Sequence, residues 1–238
     1  MAPSLFRLAS WLAAAASTVS AAPIEPRAVL AHDAIVGFPE TVPSGTAGSL
    51  YLKYKPYLKV VNGCVPFPAV DKAGNTGGGL NPTGSSNGGC SSSTGQVYAR
   101  GASYNGAYAI MYSYYMPKDS PSTGLGHRHD WENTVVWLSA ASESATVLGV
   151  SVSAHGNYDK KTSGISFTGT HPRVGYRSIF PVNHQMIFTS EQGGQQPLIA
   201  WESLTPAART ALENTDFGSA NVPMKDGNFN NNLGKAAL

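Results

Sequence analysis

Short runs of alternating apolar and polar positions recur along this chain, and turn-forming residues cut them at close intervals. Tyr57 to Val61, Gln96 to Ala99, Ala107 to Tyr115, Thr134 to Leu138, Thr146 to Ser153, Gln185 to Thr189 and Pro197 to Trp201 are rich in β-branched or aromatic residues. Gly, Asn, Ser or Pro clusters separate most of them, so each reads as a strand. In the third run Tyr108, Ile110, Tyr112 and Tyr114 fall on one face, an aromatic stripe that predicts sheet core. One helix is clearly signalled: Thr205 suits an N-cap, Pro206 the first helical position, and Ala207 to Glu213 run to Asn214. A weaker helix covers Gly45 to Tyr54. The pattern predicts a mostly β fold, an antiparallel β-sandwich with a few peripheral helices.

The N-terminus reads differently. Arg7, the apolar run Leu8 to Ala16 and the small-residue site Val19-Ser20-Ala21 have the order of a signal peptide over residues 1–21. Cleavage there leaves 217 residues (238 − 21) as one domain, 22–238, and lowers the formal charge from +2 to +1. No other apolar stretch approaches the roughly 18–20 residues of a membrane span. The mature protein is therefore expected to be secreted, extracellular and soluble, and by default a monomer. Near-zero net charge with only 16 Lys plus Arg argues against nucleic acid as a partner. Cys64 and Cys90 fit an oxidising compartment, and as the only two cysteines they have one possible pairing. A bridge would pin the Gly- and Ser-rich loop between them, contributing about 3–4 kcal/mol by loop entropy.

The chemistry concentrates in Gly126-His127-Arg128-His129-Asp130-Trp131-Glu132, two imidazoles and two carboxylates in a chain only 13% charged. Turn residues 123 to 126 precede it and the strand-forming Thr134 to Leu138 follow, which places it where a loop enters a strand. In extended backbone Asp130 and Glu132 share a side, His127 must swing onto that side through the turn, and Trp131 points away toward a core. Carboxylates outnumber well-placed imidazoles, and the helical His-Glu-x-x-His arrangement of zinc hydrolases is absent. A hard cation, Mg²⁺ or Ca²⁺, is favoured over zinc. A solvated loop ion-paired through Arg128 is the plainer alternative.

This heptapeptide, the segment AIMYSYYMPKDSPSTGLGHRHDWE (109 to 132) and the stretch 196 to 229 resemble the necrosis- and ethylene-inducing peptide 1-like proteins of fungi, oomycetes and bacteria. NGC and NGGC around the two cysteines match the two-cysteine type. The resemblance runs from about His32 to the C-terminus and implies a sandwich similar to that of actinoporins and fungal lectins. It implies metal ligands at Asp119, His127, Asp130 and Glu132, of which Asp119 is recruited by the resemblance alone. His129 becomes a supporting or structural residue, His184 a histidine acting near the cation through water, and Tyr158 a candidate rim contact to membrane or sugar. The implied activity is not bond cleavage. The family binds glycosyl inositol phosphoryl ceramide headgroups in the outer leaflet of plant plasma membranes and causes lysis. Residues 109–128 resemble the family's peptide pattern perceived by plant immune receptors. Tyr114 and Met116 depart from the usual Trp and Phe of that segment, and neither is an implied ligand. Two rival readings stand beside this one. One is a sugar-binding or immune-eliciting relative that does not permeabilise. The other is a secreted metal-dependent polysaccharide hydrolase or lyase with His127 or His129 as base.

Overall fold

Turn-forming clusters fold the chain back on itself between strands, of which Ala107–Asp119 and His127–Leu138 are the longest among the described residues. The computed structural model describes residues 27–122, 124–178 and 183–238, and the expected signal peptide lies outside the described residues. In chain order the elements are β1 (Val29–Leu30), α1 (Thr46–Lys53), β2 (Tyr57–Val60), β3 (Thr76–Gly77), β4 (Val97–Tyr104), β5 (Ala107–Asp119), β6 (His127–Leu138) and β7 (Val147–Ala154). There follow β8 (Asn157–Lys161), β9 (Phe167–Thr168), β10 (His171–Arg177), β11 (Gln185–Phe188), β12 (Leu198–Ala200), α2 (Pro206–Asn214) and α3 (Asp226–Ala236).

The larger sheet has the order β12-β4-β5-β6-β7-β8, and the smaller runs β11-β10-β2 with β9 beside β10. β11 packs on β6 and β7, closing the sandwich. From β4 to β8 the strands form an antiparallel meander. Two of its connections are two-residue turns, Asn105-Gly106 and His155-Gly156, with all four residues at positive φ as such turns require. The chain returns β12 to β4 and β10 to β2 in parallel, so the antiparallel sandwich carries a parallel ladder in each sheet.

Strand β5 is buried from Tyr108 through Asp119 on both faces, beyond the single apolar face that its alternation predicted. On one side the Tyr112 hydroxyl donates to the carbonyl of Tyr51 in α1 at 2.9 Å. Elsewhere Tyr115 packs against Trp131 and Phe217. Both expected helices form. Thr205 Oγ1 caps α2 by accepting from the Ala208 N–H at 3.1 Å. α3 was not expected, because its sequence, DGNFNNNLGKA, is poor in helix formers. Tertiary packing supports it instead: Phe229, Leu233 and Ala236 are buried, and Ser151 Oγ in β7 donates to the Ala236 carbonyl at 2.7 Å. Strands β8 and β10 also lay outside the expected set. Cys64 and Cys90 are bonded, with Cα atoms 4.9 Å apart.

Candidate functional site

The heptapeptide enters β6 one residue after Gly126, so it belongs to the strand rather than to a loop. An unbroken strand would put His127 on the opposite side from Asp130 and Glu132. The structure resolves this at His129, whose φ of 61° lies in the left-handed region that non-glycine residues rarely adopt. Alternation shifts by one residue there. Arg128 and His129 both reach the 78–81 loop: Arg128 donates to the Gly78 carbonyl at 2.7 Å, and the His129 ring lies against Gly79. A Cβ on Gly79 would come within 2.7 Å of that ring, so only glycine fits. His127 is thereby returned to the side of Asp130 and Glu132, by a kink in the strand and not by the preceding turn. Register does the rest, since Asp119 at the end of β5 pairs directly with His127.

Asp119, His127, Asp130 and Glu132 line one open cavity of about 460 Å³. Asp119, Asp130 and Glu132 are all buried, and no Lys or Arg among the described residues pairs with them. Burial, then the Asp119 charge, pushes the Asp130 carboxyl up to about 6. Burial, then the charge on Asp130, lifts Glu132 well above the usual carboxylate range. His127 donates from Nδ1 to the His129 carbonyl at 2.7 Å, which leaves Nε2 facing Asp119 at 3.7 Å. Three crowded carboxylates and an imidazole with its far nitrogen anchored form a donor set suited to a hard divalent cation. Among the described residues no three of the His, Asp and Glu side chains are already gathered tightly enough to cage an ion. The fit is therefore one of donor chemistry alone. Arg128 makes no ion pair within the heptapeptide, which removes the solvated-loop alternative.

The other expected residues fall in three places. His184 lies beside the carboxylates: its Nδ1 donates to Asp119 Oδ1 at 2.6 Å and its backbone N–H to Asp119 Oδ2 at 3.1 Å. A Cβ on Gly63 would fall 2.9 Å from His184 Cδ2, so the glycine beside Cys64 lets the ring reach the carboxylate. His129 is on the far side, where Nδ1 accepts from the Tyr115 hydroxyl at 2.6 Å and the ring meets Phe217 edge-on. Burial first, then Arg128, lowers its pKa to about 4. Tyr158 lines the cavity half-buried, with its hydroxyl donating to Asn133 Oδ1 at 2.8 Å.

Two supporting residues were invisible to sequence reasoning. Tyr176 in β10 donates to Asp130 Oδ2 at 2.7 Å while its ring stacks on His184 at 4.6 Å, tying the small sheet to two of the acids. Ser153 in β7 donates to Glu132. Neither stands near the heptapeptide in sequence, and only the pairing of strands brings them there.

The model of the family described as Necrosis inducing protein (NPP1) matches residues 48–236, a span that takes in every residue of this site. NLP effector protein 10 of Phytophthora capsici is 51% identical over 214 residues, covering 88% of this chain and 92% of the relative. Necrosis-inducing protein NPP1 of Phytophthora nicotianae is 53% identical over 214 residues, covering 87% and 90%. Among solved structures, NLPPya in complex with mannosamine superposes with a TM-score of 0.85 at 51% identity, covering 89% of this chain and 100% of that one. NLPPya in complex with glucosamine gives 0.84 over the same coverage and identity. Non-toxic HaNLP3 gives 0.83 at 43% identity, covering 86% and 98%. The resemblance first seen in the heptapeptide thus extends over both sheets and the single disulfide, and the chain belongs to the necrosis-inducing NPP1 family, in its two-cysteine form.

Proposed function

We propose that this chain is a secreted, cation-dependent cytolysin that acts by binding rather than by catalysis. Asp119, His127, Asp130 and Glu132 would hold Mg²⁺ or Ca²⁺, with His184 and Tyr176 fixing two of the carboxylates. When bound, such an ion with coordination positions left to water supplies a Lewis-acidic contact for sugar hydroxyls. The cavity would take the headgroup of a plant glycosyl inositol phosphoryl ceramide from the outer leaflet, with Tyr158 at its wall. The observation that carries this reading is the set of three buried carboxylates without a cationic partner, open to a 460 Å³ cavity. The hexosamine complexes of NLPPya support a sugar as the ligand. Among the described residues no helix is long and apolar enough to cross a membrane.

Dye leakage from vesicles of eudicot plasma-membrane lipids, with Mg²⁺ or Ca²⁺ and again with chelator, tests the proposal. Leakage that requires the cation is expected; leakage unaffected by chelator would sink the metal role. A second reading, a sugar-binding relative that does not permeabilise, draws on the likeness to non-toxic HaNLP3. It predicts cation-dependent sugar binding without leakage. Residues 109–128 are further proposed as a segment perceived by plant immune receptors. Since Ala109 through Asp119 is buried in β5, that perception would follow breakdown of the fold.

A further inference from the structure

The cavity extends well beyond the carboxylates, and its opposite wall is built of side-chain amides from three separate elements. Four of these amides are already half committed. Asn133 Oδ1 accepts from the Tyr158 hydroxyl at 2.8 Å and Asn157 Oδ1 from the Tyr158 N–H at 3.0 Å. Both therefore turn NH₂ groups toward whatever fills the cavity. Asn228 and Asn232 on α3 are bonded the other way: their Nδ2 atoms donate to the carbonyls of Val222 at 3.0 Å and Pro223 at 2.9 Å. Their amide oxygens remain as acceptors. Lys235 stands at the edge, held to the Gly156 carbonyl at 3.0 Å with further N–H donors to give.

A wall that alternates fixed donors with fixed acceptors complements vicinal hydroxyls, because each hydroxyl both gives and accepts a hydrogen bond. Phosphate would find the two amide oxygens repulsive, and an apolar chain would leave all of these groups unpaired. At 460 Å³ the cavity is within the usual range for small-ligand sites. We infer that the amide wall of α3 and the β7–β8 turn is a second carbohydrate subsite, which binds the sugar next to the one at the carboxylates. The inference rests on the cation-and-sugar reading above and adds to it a preference for at least two linked sugars.

The test is titration calorimetry of the full chain, in Mg²⁺ and in Ca²⁺, with glucosamine and with its α-1,4- and β-1,4-linked disaccharides. At least one disaccharide is expected to bind about tenfold more tightly than glucosamine, the yield of two or so added hydrogen bonds. Asn232→Ala should bring that disaccharide down to the affinity of glucosamine while glucosamine itself is unchanged. Asn157→Ala should do the same in part, and it is safe for the fold because this exposed amide bonds only the next residue's N–H. Equal binding of mono- and disaccharides by the unmodified protein would overturn the subsite alone, as would variants that weaken both sugars alike. Failure of every sugar to bind with cation present would overturn the subsite together with the reading on which it rests.

Discussion

The two sides of β6 on either flank of His129 differ in how they treat buried polar groups. On the aromatic side, the His129 imidazole accepts from Tyr115 and packs against the rings of Tyr115 and Phe217. On the cavity side, Asp130 and Glu132 receive one hydroxyl each, from Tyr176 and Ser153, and no cation. One side of the strand is packed among aromatic rings, and the other leaves buried carboxylates facing an open cavity, as the proposed cation site requires. The lesson is that a single left-handed residue separates a folding element from a binding element within seven consecutive positions.

Substitutions that trade one side against the other give the sharpest tests. Asp130→Asn keeps an acceptor for the Tyr176 hydroxyl but removes a buried charge. It should abolish cation binding by calorimetry and any leakage, while the melting temperature of the cation-free protein does not fall. A fall of several degrees would mean that the carboxylate serves folding. Phe217→Ala on the aromatic side should behave in reverse. It should cost about 3–5 kcal/mol of stability in denaturant unfolding, with cation affinity in the surviving folded protein little changed. Equal effects of the two variants on binding would erase the distinction.

A smaller effect concerns pH, and here the two sides run in opposite directions. The folded pKa of Asp130, about 6, lies above the ordinary carboxylate value, so its favourable contribution exists at low pH and is lost as pH rises through about 6. A divalent cation needs the ionised form. Its stabilising shift in melting temperature should therefore be larger at about pH 7.5 than at about pH 5. The folded pKa of His129, about 4, lies below its ordinary 6.5, so its contribution is present above about pH 6.5 and lost as pH falls through about 4. His129→Asn, which tolerates the left-handed backbone, should remove the gain in stability as pH rises from about 4 to 6.5 and leave the opposing fall set by Asp130, in the absence of cation. A pH profile identical to the unmodified protein would remove His129 from the account.

Local alternation made part of this legible. Asp130 and Glu132 fall two apart in a strand, and that alone gives their shared side. The same rule misplaces His127, because nothing in Arg128-His129 announces positive φ; a histidine is a minority occupant of that region and glycine would have been the usual signal. Asp119 is eight residues from its partner His127, and the separation means nothing until the register of β5 and β6 is known. Tyr176 and His184 come from the other side of the sandwich, a contact made by sheet packing and absent from any local spacing. The strands expected from β-branched and aromatic residues all formed, but β4 and β5 run on past Ala99 and Tyr115, and β6 begins at His127 and not at Thr134. β8 escaped because its residues, Asn157-Tyr158-Asp159-Lys160-Lys161, are those of an exposed edge. α3 escaped because four asparagines hide a helix that exists only against β7 and β8.

That docking of α3 has a consequence for the order in which the protein is made. The acids and the His129 kink lie near the middle of the chain, whereas the helix carrying Asn228, Asn232 and Lys235 is its last element. During synthesis the hairpin of β5 and β6 emerges first, and one wall of the cavity is missing until α3 follows. A nascent chain in which α3 has not yet emerged would thus present its acidic groups in an open trough, and the walled cavity would come into being only once that helix docks.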